Sequence, residues 1–452
     1  MDSDAVVEIQ MSSVSIPSEA ALNESYRPGY TRLCPVDVPR LVDVARAALR
    51  LDPSTIPVTG LRILGAGVFN KVFFMQFGSI AVIARVPFNT PAARDPVRII
   101  SQIATLDFLS IHIPTVPVPK VLAASPDSQS PPCAPYVIAE FCKGTPLTIQ
   151  EWYRDMSAAS RDRAIDLLAD MWVKITAPLP FKAIGSIIRR TVDPHSAMSR
   201  MGGAAESPAF HIMPMIPQFP KKWTELVDPS AETRAGPRSI AEHWAARMKE
   251  QRDDIVAAFP DEDHSVLVWD NAGSKHTLGK LWQCVRAMQE LTDIAVSLDP
   301  LAHAPAMALM HADYSCWRNI LFSPDRARIE GVIDWDDAIV VPRDLAALYP
   351  EELTHHTRGW RVDPPDVFAI PPGTLYEDEG LWETAIEETK QRRMFREAVG
   401  RRDPQLAELY TDRRARLRRR VDILLRDGWY AWLSRNDWVL GQGLEEARAL
   451  AS

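Results

Sequence analysis

Two carboxylates and an amide, in a segment that also holds a histidine, have the types and the order that phosphoryl transfer requires. His311 and Asp313 stand in "LMHADYSCWRNILF", where Asn319 leads into an apolar run, and Asp334 ends the next apolar run, "IEGVID". Both runs predict short strands, so Asp313, Asn319 and Asp334 are expected to converge at the mouth of a hairpin. Phosphoryl transfer needs one carboxylate to orient an acceptor hydroxyl and take its proton. It also needs an amide and a second carboxylate that hold Mg²⁺ on the phosphate oxygens.

The elements that must position these residues begin with a β-rich segment over 58–88. The runs "KVFFMQF" and "SIAVIARV" predict two strands joined by a hairpin at Gly78-Ser79, and the glycine-bearing connection "LGAGVFNKV" precedes them. The run "DPVRIISQIATLDFLSI" has helical periodicity. Two further strands are predicted in "VPKVLAAS" and "PYVIAEF".

The rest of the chain is predicted to be mainly helical. Apolar spacing indicates helices at 35–51, in "RDRAIDLLADMWVKITA", and at about 279–297, 381–400, 404–427 and 428–448. The Pro- and Met-rich stretch within 185–265 predicts a long loop or short helices. We divide the chain into an N-terminal arm and lead-in helix (1–57), an N-lobe (58–142) and a C-lobe (143–452).

At the chemical motif the chain resembles the aminoglycoside phosphotransferase and choline kinase-like family, which shares the protein-kinase fold. The resemblance rests on His311-Ala312-Asp313…Asn319 and on Ile333-Asp334-Trp335-Asp336, and it covers roughly 58–345. It implies an α+β, two-lobed kinase-like fold with a small β-rich N-lobe and a larger, mainly helical C-lobe. It further implies Asp313 as the catalytic base, Asn319 and Asp334 as metal ligands, and ATP and Mg²⁺ as cofactors.

The amino-terminal half agrees with this resemblance. Gly65 and Gly67 of "LGAGVFNKVF" stand where the family places its phosphate-covering loop, although a plain turn is the alternative interpretation. Arg85 stands at the third-strand position where the family usually has a lysine on the phosphates. The backbone of Glu140 and Cys142, in "YVIAEFCKGTPL", corresponds to the hinge that meets the adenine edge.

The chain departs from the family pattern at four places. Arginine replaces lysine at Arg85, which keeps the charge but changes its geometry. Gln102 stands where the family supplies a glutamate to pair with that cation, and Ala312 replaces a glycine. The segment between Asp313 and Asn319 is one residue longer than usual, so either the loop bulges or Asn319 is displaced from the metal.

The acceptor is less clearly encoded. Carboxylates and tryptophans in two segments suit a cationic amine with an apolar body, such as an amino alcohol, an aminoglycoside-like compound or a hydroxyaryl amine. The alternative is that they are ordinary surface acids and core tryptophans. The candidates are Tyr314, Asp336, Glu351, Glu352, Trp360, Glu377, Asp378, Glu379 and Trp382.

Two functions follow from these patterns. The first is a phosphotransferase with an alcohol group as acceptor, a kinase that moves the γ-phosphoryl group of ATP to a small hydroxylated molecule. The second is a catalytically weak kinase-like protein that binds a nucleotide or a metabolite. A hinge that reads the base through its backbone leaves GTP open as the donor.

Composition narrows the partners. The 452 residues carry a net charge of −8, which argues against nucleic acid as a partner. We expect a cytoplasmic protein without a membrane partner, because the sequence starts with acidic residues, lacks a long apolar run and has five scattered cysteines. The basic run 412–429 predicts a helix with a solvated face paired to acidic neighbours; contact with nucleic acid or membrane is the alternative. The oligomeric state is left open.

Overall fold

The computed structural model describes ten stretches of the chain. They are residues 16–52, 56–129, 131–189, 210–216, 235–260, 263–270, 272–298, 306–355, 363–374 and 376–452.

A five-stranded antiparallel sheet forms the smaller lobe, with the strand order β1-β2-β3-β5-β4. Gly78 has a φ of +57°, a conformation that glycine adopts without strain, and it turns the chain between the second and third strands as predicted. The strands are β1 (Val58–Ala66), β2 (Asn70–Phe77), β3 (Ile80–Pro87), β4 (Val121–Ser125) and β5 (Tyr136–Glu140).

One face of this sheet is covered by the segment that precedes the sheet in the chain. Two helices, α1 (Glu19–Tyr26) and α2 (Val38–Ala48), pack their apolar side chains on the sheet. Both begin at a side-chain cap, Ser18 for α1 and Asp37 for α2, as expected for residues that satisfy free backbone N–H groups. The lead-in region therefore shares a core with the sheet.

The lobes meet through a helix and a tight backbone approach. Helix α3 (Pro96–His112) belongs to the large core that continues into the helical lobe. After β5, the chain passes so close to the next lobe that a Cβ on Gly144 would lie 2.9 Å from Cβ of Leu321 and from the carbonyl oxygen of Phe322. Only glycine fits there without displacing backbone.

The larger lobe is built mainly from helices, with pairs of short strands beside them. Its α-helices are α4 (Ala158–Ile175), α5 (Ile240–Ala258), α6 (Leu278–Ser297), α7 (Arg343–Ala346), α8 (Tyr376–Arg402), α9 (Pro404–Leu409), α10 (Arg413–Asp427), α11 (Trp429–Ser434) and α12 (Gly443–Ala451). Its strands are β6 (Ser186–Arg189), β7 (Phe210–Met213), β8 (Leu267–Trp269), β9 (Lys275–Thr277), β10 (Met307–Met310), β11 (Ile320–Phe322), β12 (Ile329–Val332) and β13 (Ile339–Pro342). The predicted α+β architecture with a β-rich and a helical lobe is confirmed.

Three local predictions were wrong. Within 185–265, where a long loop or short helices were expected, the structure has α5, a 19-residue helix, and the paired strands β6 and β7. The single helix expected at 404–427 is two helices, because Asp412 caps the start of α10. The arginines in the middle of α10 do not form a solvated face, because Arg418 and Arg419 are 0% and 1% exposed; Arg413 and Arg414 at its start are exposed.

No helix among the described residues is both long enough and apolar enough to cross a bilayer.

Candidate active site

His311 holds the loop that carries Asp313. Its Nε2 lies 2.9 Å from the carbonyl oxygen of Ile333, and its Nδ1 accepts the backbone N–H of Asp313 at 3.2 Å. These two bonds require a neutral ring with the proton on Nε2. Burial lowers the pKa of His311 and thereby favours that neutral form. The imidazole thus joins the end of β10 to the segment that follows β12.

Asp313 and Asn319 contact each other directly despite the lengthened loop. The Nδ2 group of Asn319 donates to Oδ2 of Asp313 at 2.8 Å and to its backbone oxygen at 2.9 Å. Ser315 accepts the backbone N–H groups of Asn319 and Ile320 at 2.9 and 3.1 Å, so the additional residue is absorbed in a turn. Because the amide nitrogen of Asn319 faces Asp313, its Oδ1 is the atom left to bind a cation.

Asp334 lies beside Asn319 at the mouth of the β11–β12 hairpin. The backbone N–H of Ile333 donates to the carbonyl oxygen of Asn319 at 2.9 Å, continuing the ladder by one pair. Asp334 has a φ of +65°, a left-handed conformation that is uncommon outside glycine but is tolerated by aspartate. The turn ends the strand and leaves the carboxylate about half exposed, at 46%.

Arg85 reaches this carboxylate from the sheet. Its two terminal nitrogens bind both oxygens of Asp336 at 2.8 Å, and Nη2 also lies 3.0 Å from Oδ1 of Asp334. The nearby Asn70 donates to Oδ2 of Asp336 at 3.2 Å. Burial raises the pKa of the Asp336 carboxyl, and Arg85 acts in the opposite direction. The partners of Arg85 are therefore carboxylates of the facing lobe.

The helix α3 supplies a second cation instead of the family's glutamate. Gln102 is buried on α3 and makes no hydrogen bond to Arg85 in the described structure. Arg98 of the same helix lies 3.5 Å from Oδ1 of Asp337. Burial, together with the negative charge of Asp336, raises the pKa of Asp337 to about 7. Gln102, Arg98 and Asp337 line a small cavity between α3 and the segment after β12.

Arg318 covers the carboxylate proposed as the base. Its Nη2 lies 2.5 Å from Oδ1 of Asp313, and its Nε lies 3.2 Å from Oδ2. The same Nη2 also donates to Oε2 of Glu351. Hydrogen bonding to Asp313 raises the pKa of Arg318, so this cation stays charged. The side chains of Arg318 and Asp313 are 47% and 40% exposed, which leaves the pair open to solvent and to a ligand.

The connection between β1 and β2, which we call the glycine loop, has only the three residues 67–69; Gly65 lies at the end of β1, paired with Val72, and not in the loop as predicted. The backbone N–H of Gly67 donates to Asn70 at 2.9 Å. A Cβ on Gly65 would meet no atom within 4 Å, and neither Gly65 nor Gly67 has a positive φ. The protein's own packing therefore does not require glycine at Gly65, and the space above it is available for a bound group.

The hinge segment contains backbone N–H groups that no described backbone carbonyl accepts. The N–H of Glu140 donates to the carbonyl of Lys120 at 3.0 Å. No described backbone carbonyl accepts the N–H of Cys142, and the Cys142 side chain packs on Gly331. The Cys142 amide is therefore placed between the lobes with its donor available.

Several acceptor candidates have other roles. Tyr314 is buried and donates its hydroxyl to the carbonyl of Leu168 at 2.9 Å, so it packs inside the helical lobe. Glu352 is fully buried and accepts the backbone N–H of Cys316 at 2.8 Å. Burial raises its pKa to about 7. Other candidates fall outside the described residues (Trp360) or outside the described side chains (Glu377 and Asp378).

Sequence reasoning missed one amide and two cations that complete the site. Asn70, Arg98 and Arg318 were not selected, although Arg318 immediately precedes Asn319. Their partners are distant in the chain, so only the position of Arg318 inside the motif offered a signal. Within the described residues, no group of three or more His, Cys, Asp or Glu side chains is arranged to hold a metal ion.

Comparison with known proteins places this chain in a family. The model of the phosphotransferase enzyme family matches residues 60–345, which is more than half of the chain, and the chain therefore belongs to that family. The family resemblance predicted from the motif is confirmed.

The individual similarities are distant. A subtelomeric hrmA-associated cluster protein of Aspergillus fumigatus is 28% identical over 324 residues, covering 65% of this chain and 60% of that protein. The chain thus spans about 60% of the length of the curated relatives it matches. The crystal structure of aminoglycoside phosphotransferase APH(4)-Ia is 15% identical with a TM-score of 0.43, covering 92% of this chain and 98% of that one.

The structure of aminoglycoside phosphotransferase APH(2'')-Ib with bound ADP is 13% identical with a TM-score of 0.42. It covers 90% of this chain and 96% of that one.

Proposed function

We propose that this protein is a small-molecule kinase that transfers the γ-phosphoryl group of ATP to a hydroxyl group. The observation that carries the proposal is one connected set of contacts. Asp313 contacts Asn319, the backbone of Asn319 pairs with Ile333 next to Asp334, and Asp334 contacts Arg85 of the other lobe. A base, two oxygen ligands and a cation are the parts that phosphoryl transfer uses.

The donor atoms of the site fit Mg²⁺. Asn319 offers Oδ1, because its amide nitrogen is bound to Asp313, and Asp334 offers Oδ2, for which no described partner is found. Both are hard oxygen ligands, and Mg²⁺ commonly takes only one or two protein ligands. When bound, the ion would neutralise charge on the phosphate oxygens.

In this proposal Asp313 orients the acceptor. The acceptor oxygen attacks the γ-phosphorus as its proton passes to a carboxylate oxygen of Asp313, the bond from phosphorus to the bridging oxygen breaks, and ADP leaves. Arg318 must move away from Asp313 for the hydroxyl to approach. Because that pair is half exposed, its loss has a small cost in free energy.

We also propose that the acceptor bears an amine. The guanidinium of Arg318 binds Asp313 and Glu351 together, so the acceptor side of the base already holds a cation between two carboxylates. An ammonium group of the substrate would replace that cation at Glu351. Trp317 and His355, whose rings lie 5.0 Å apart, provide an aromatic surface next to it.

A second candidate function has its own observation. The carboxylates at the centre of the site are bound by the chain's own arginines, Asp313 by Arg318 and both Asp334 and Asp336 by Arg85. A protein that keeps these pairs when a nucleotide is bound would be a binding module with weak catalysis.

The test uses the full chain with Mg-ATP, Mg-GTP and a library of hydroxylated amines and neutral alcohols. We expect Mg-ATP to raise the melting temperature, since a ligand at 100 times its Kd adds about 2.7 kcal/mol to the apparent free energy of unfolding. We also expect at least one amino alcohol to gain the mass of a phosphoryl group. Stabilisation without turnover would support the binding module. A lack of any response to either nucleotide would overturn both candidates.

A further inference from the structure

The segment before the sheet lies outside the part of the chain that matches the family, which begins at residue 60. It nevertheless shares a core with the five-stranded sheet of the smaller lobe. Leu22 of α1 and Leu41 of α2 share a core with Phe73 and Val86, which are side chains of β2 and β3. This core lies on one face of the sheet, which we call the outer face.

The opposite face of the sheet is directed at the candidate active site. Val72 of β2 pairs with Arg85 of β3, and directly paired residues share a face. Side chains alternate along a strand, so Asn70 lies on the same face as Val72, and it does contact Asp336. Lys71 must therefore point to the outer face.

Lys71 ties the preceding segment to the start of β2. Its side chain is fully buried, and its Nζ lies 2.5 Å from Oε1 of Glu19, 2.7 Å from Oδ1 of Asn23 and 2.8 Å from the carbonyl oxygen of Arg32. A buried ammonium needs such a set of acceptors. The backbone of Arg32 is thereby held next to the glycine loop, on the outer face.

The side chain of Arg32 binds the loop itself. Its Nη1 donates to the carbonyl oxygen of Gly67 at 3.2 Å, and its Nη2 donates to that of Val68 at 2.7 Å. The guanidinium stacks on the ring of Phe88 at 3.5 Å from the centroid. The backbone N–H of Phe88 donates to the carbonyl oxygen of Phe69 at 2.8 Å. Three successive loop carbonyls are thus bound.

The planar trans peptide converts these contacts into an orientation of donors. In such a peptide the C=O and the following N–H point in opposite directions. Because Arg32 draws the carbonyls of Gly67 and Val68 to the outer face, the N–H groups of Val68 and Phe69 are directed to the cleft face. The N–H of Val68 has no acceptor among the described residues.

We propose that Arg32 is a positioning residue for the phosphoryl donor. It holds the loop so that backbone N–H groups, and not carbonyl oxygens, face the phosphates. Free carbonyls would repel phosphate oxygens, whereas oriented amides attract them. The inference rests on the proposed kinase function and goes further, because it assigns a donor-binding role to a segment that the family match does not include.

The experiment compares Arg32→Ala with wild type and with Arg40→Ala in the full chain. Arg40 is an exposed arginine of the same segment whose partner is Asp37, 3.2 Å away, so this control removes the same charge without touching the loop. We expect Arg32→Ala to raise the KM for Mg-ATP about tenfold, the size of effect expected when hydrogen bonds to a charged group are lost. The KM for the acceptor should stay unchanged, and Arg40→Ala should match wild type.

Binding of adenosine separates a positioning role from general damage. It should be unchanged in Arg32→Ala, because adenosine has no phosphates for the loop to contact, while binding of ATP weakens. Equal affinity of wild type and Arg32→Ala for ATP would overturn the role of Arg32 and leave the kinase proposal standing. Equal weakening for adenosine and ATP would also overturn it. Failure of the wild-type chain to bind ATP at all would instead count against the proposed function.

Discussion

Arginine–carboxylate pairs occur both in the cleft and in the helical lobe, but in opposite surroundings. In the cleft, the side chains of Arg318 and Asp313 are 47% and 40% exposed. In the helical lobe, those of Arg418 and Asp344 are 0% and 2% exposed and lie 2.6 Å apart. An exposed pair contributes little stability, whereas a buried one cannot lose a partner without leaving an isolated charge. We therefore expect the Arg318–Asp313 pair to be exchangeable for a ligand and the Arg418–Asp344 pair to be permanent.

The largest expected effect is in the helical lobe. Arg418→Met should lower the free energy of unfolding by about 3–5 kcal/mol, because the carboxylate of Asp344 would remain buried without its cation. Urea denaturation measures this loss. Arg401→Met is the matched control, since Arg401 pairs with Asp166 while 62% exposed, and its cost should stay below about 1 kcal/mol. Equal losses in the two variants would remove the contrast between buried and exposed pairs.

The second prediction concerns the base. Asp313→Asn should reduce turnover by at least about 10²-fold, a typical loss for a general base. The melting temperature should change little, because the amide still accepts from Arg318 and Asn319. Steady-state kinetics and thermal unfolding of the same sample check both points. A variant with normal turnover would remove Asp313 from the mechanism, and a large loss of stability would show that the cleft pair is permanent.

Glu352 gives a third case, a buried carboxylate with no arginine partner in the described contacts. Its folded-state pKa of about 7 lies above the usual 4.5, so the folded state keeps a proton that the unfolded state loses between these values. The contribution of Glu352 to stability is therefore complete below about pH 4.5 and declines as the pH rises to about 7. Glu352→Gln removes this decline.

Unfolding free energies at pH 5 and pH 8 measure that difference. The difference in unfolding free energy between Glu352→Gln and wild type should be on the order of 2–3 kcal/mol more favourable to the variant at pH 8 than at pH 5. Glu151→Gln is a suitable control, because hydrogen bonds from Thr148 and Arg326 outweigh burial and lower the pKa of Glu151. An identical pH dependence of wild type and Glu352→Gln would show that Glu352 is ionised in the folded protein.

The smallest expected effect tests whether an amine of the acceptor replaces Arg318 at Glu351. Glu351→Gln should raise the KM for an amine-bearing acceptor about fivefold, since an exposed ion pair contributes up to about 1 kcal/mol. The KM for a neutral alcohol of the same shape should be unchanged. Steady-state kinetics with the matched pair of acceptors measures this ratio. If both KM values rise equally, Glu351 orients Arg318 and does not bind the amine.

Much of the fold could be predicted because it depends on sequence patterns that extend over only a few residues. Alternating apolar residues and Gly78 predicted the hairpin of β2 and β3, and the motif from His311 to Asp334 predicted two strands whose ends lie together. The functions assigned to Asp313, Asn319 and Asp334 remain predictions. The 19 residues of α5 were missed, because a helix of mixed polarity next to a Pro- and Met-rich stretch has a weak periodic signal.

The sequence by itself determined which chemical groups stand at the ends of which strands, because strand and turn signals act over a few residues. Only the tertiary structure decided which polar groups lie next to each other. Arg32 reaches Gly67, Asn70 reaches Asp336 and Arg418 reaches Asp344, across 35, 266 and 74 positions of the chain. Burial decided the rest: the same arginine–carboxylate contact is replaceable in the open cleft and permanent in the helical core, since the cost of separating two charges depends on the surrounding water.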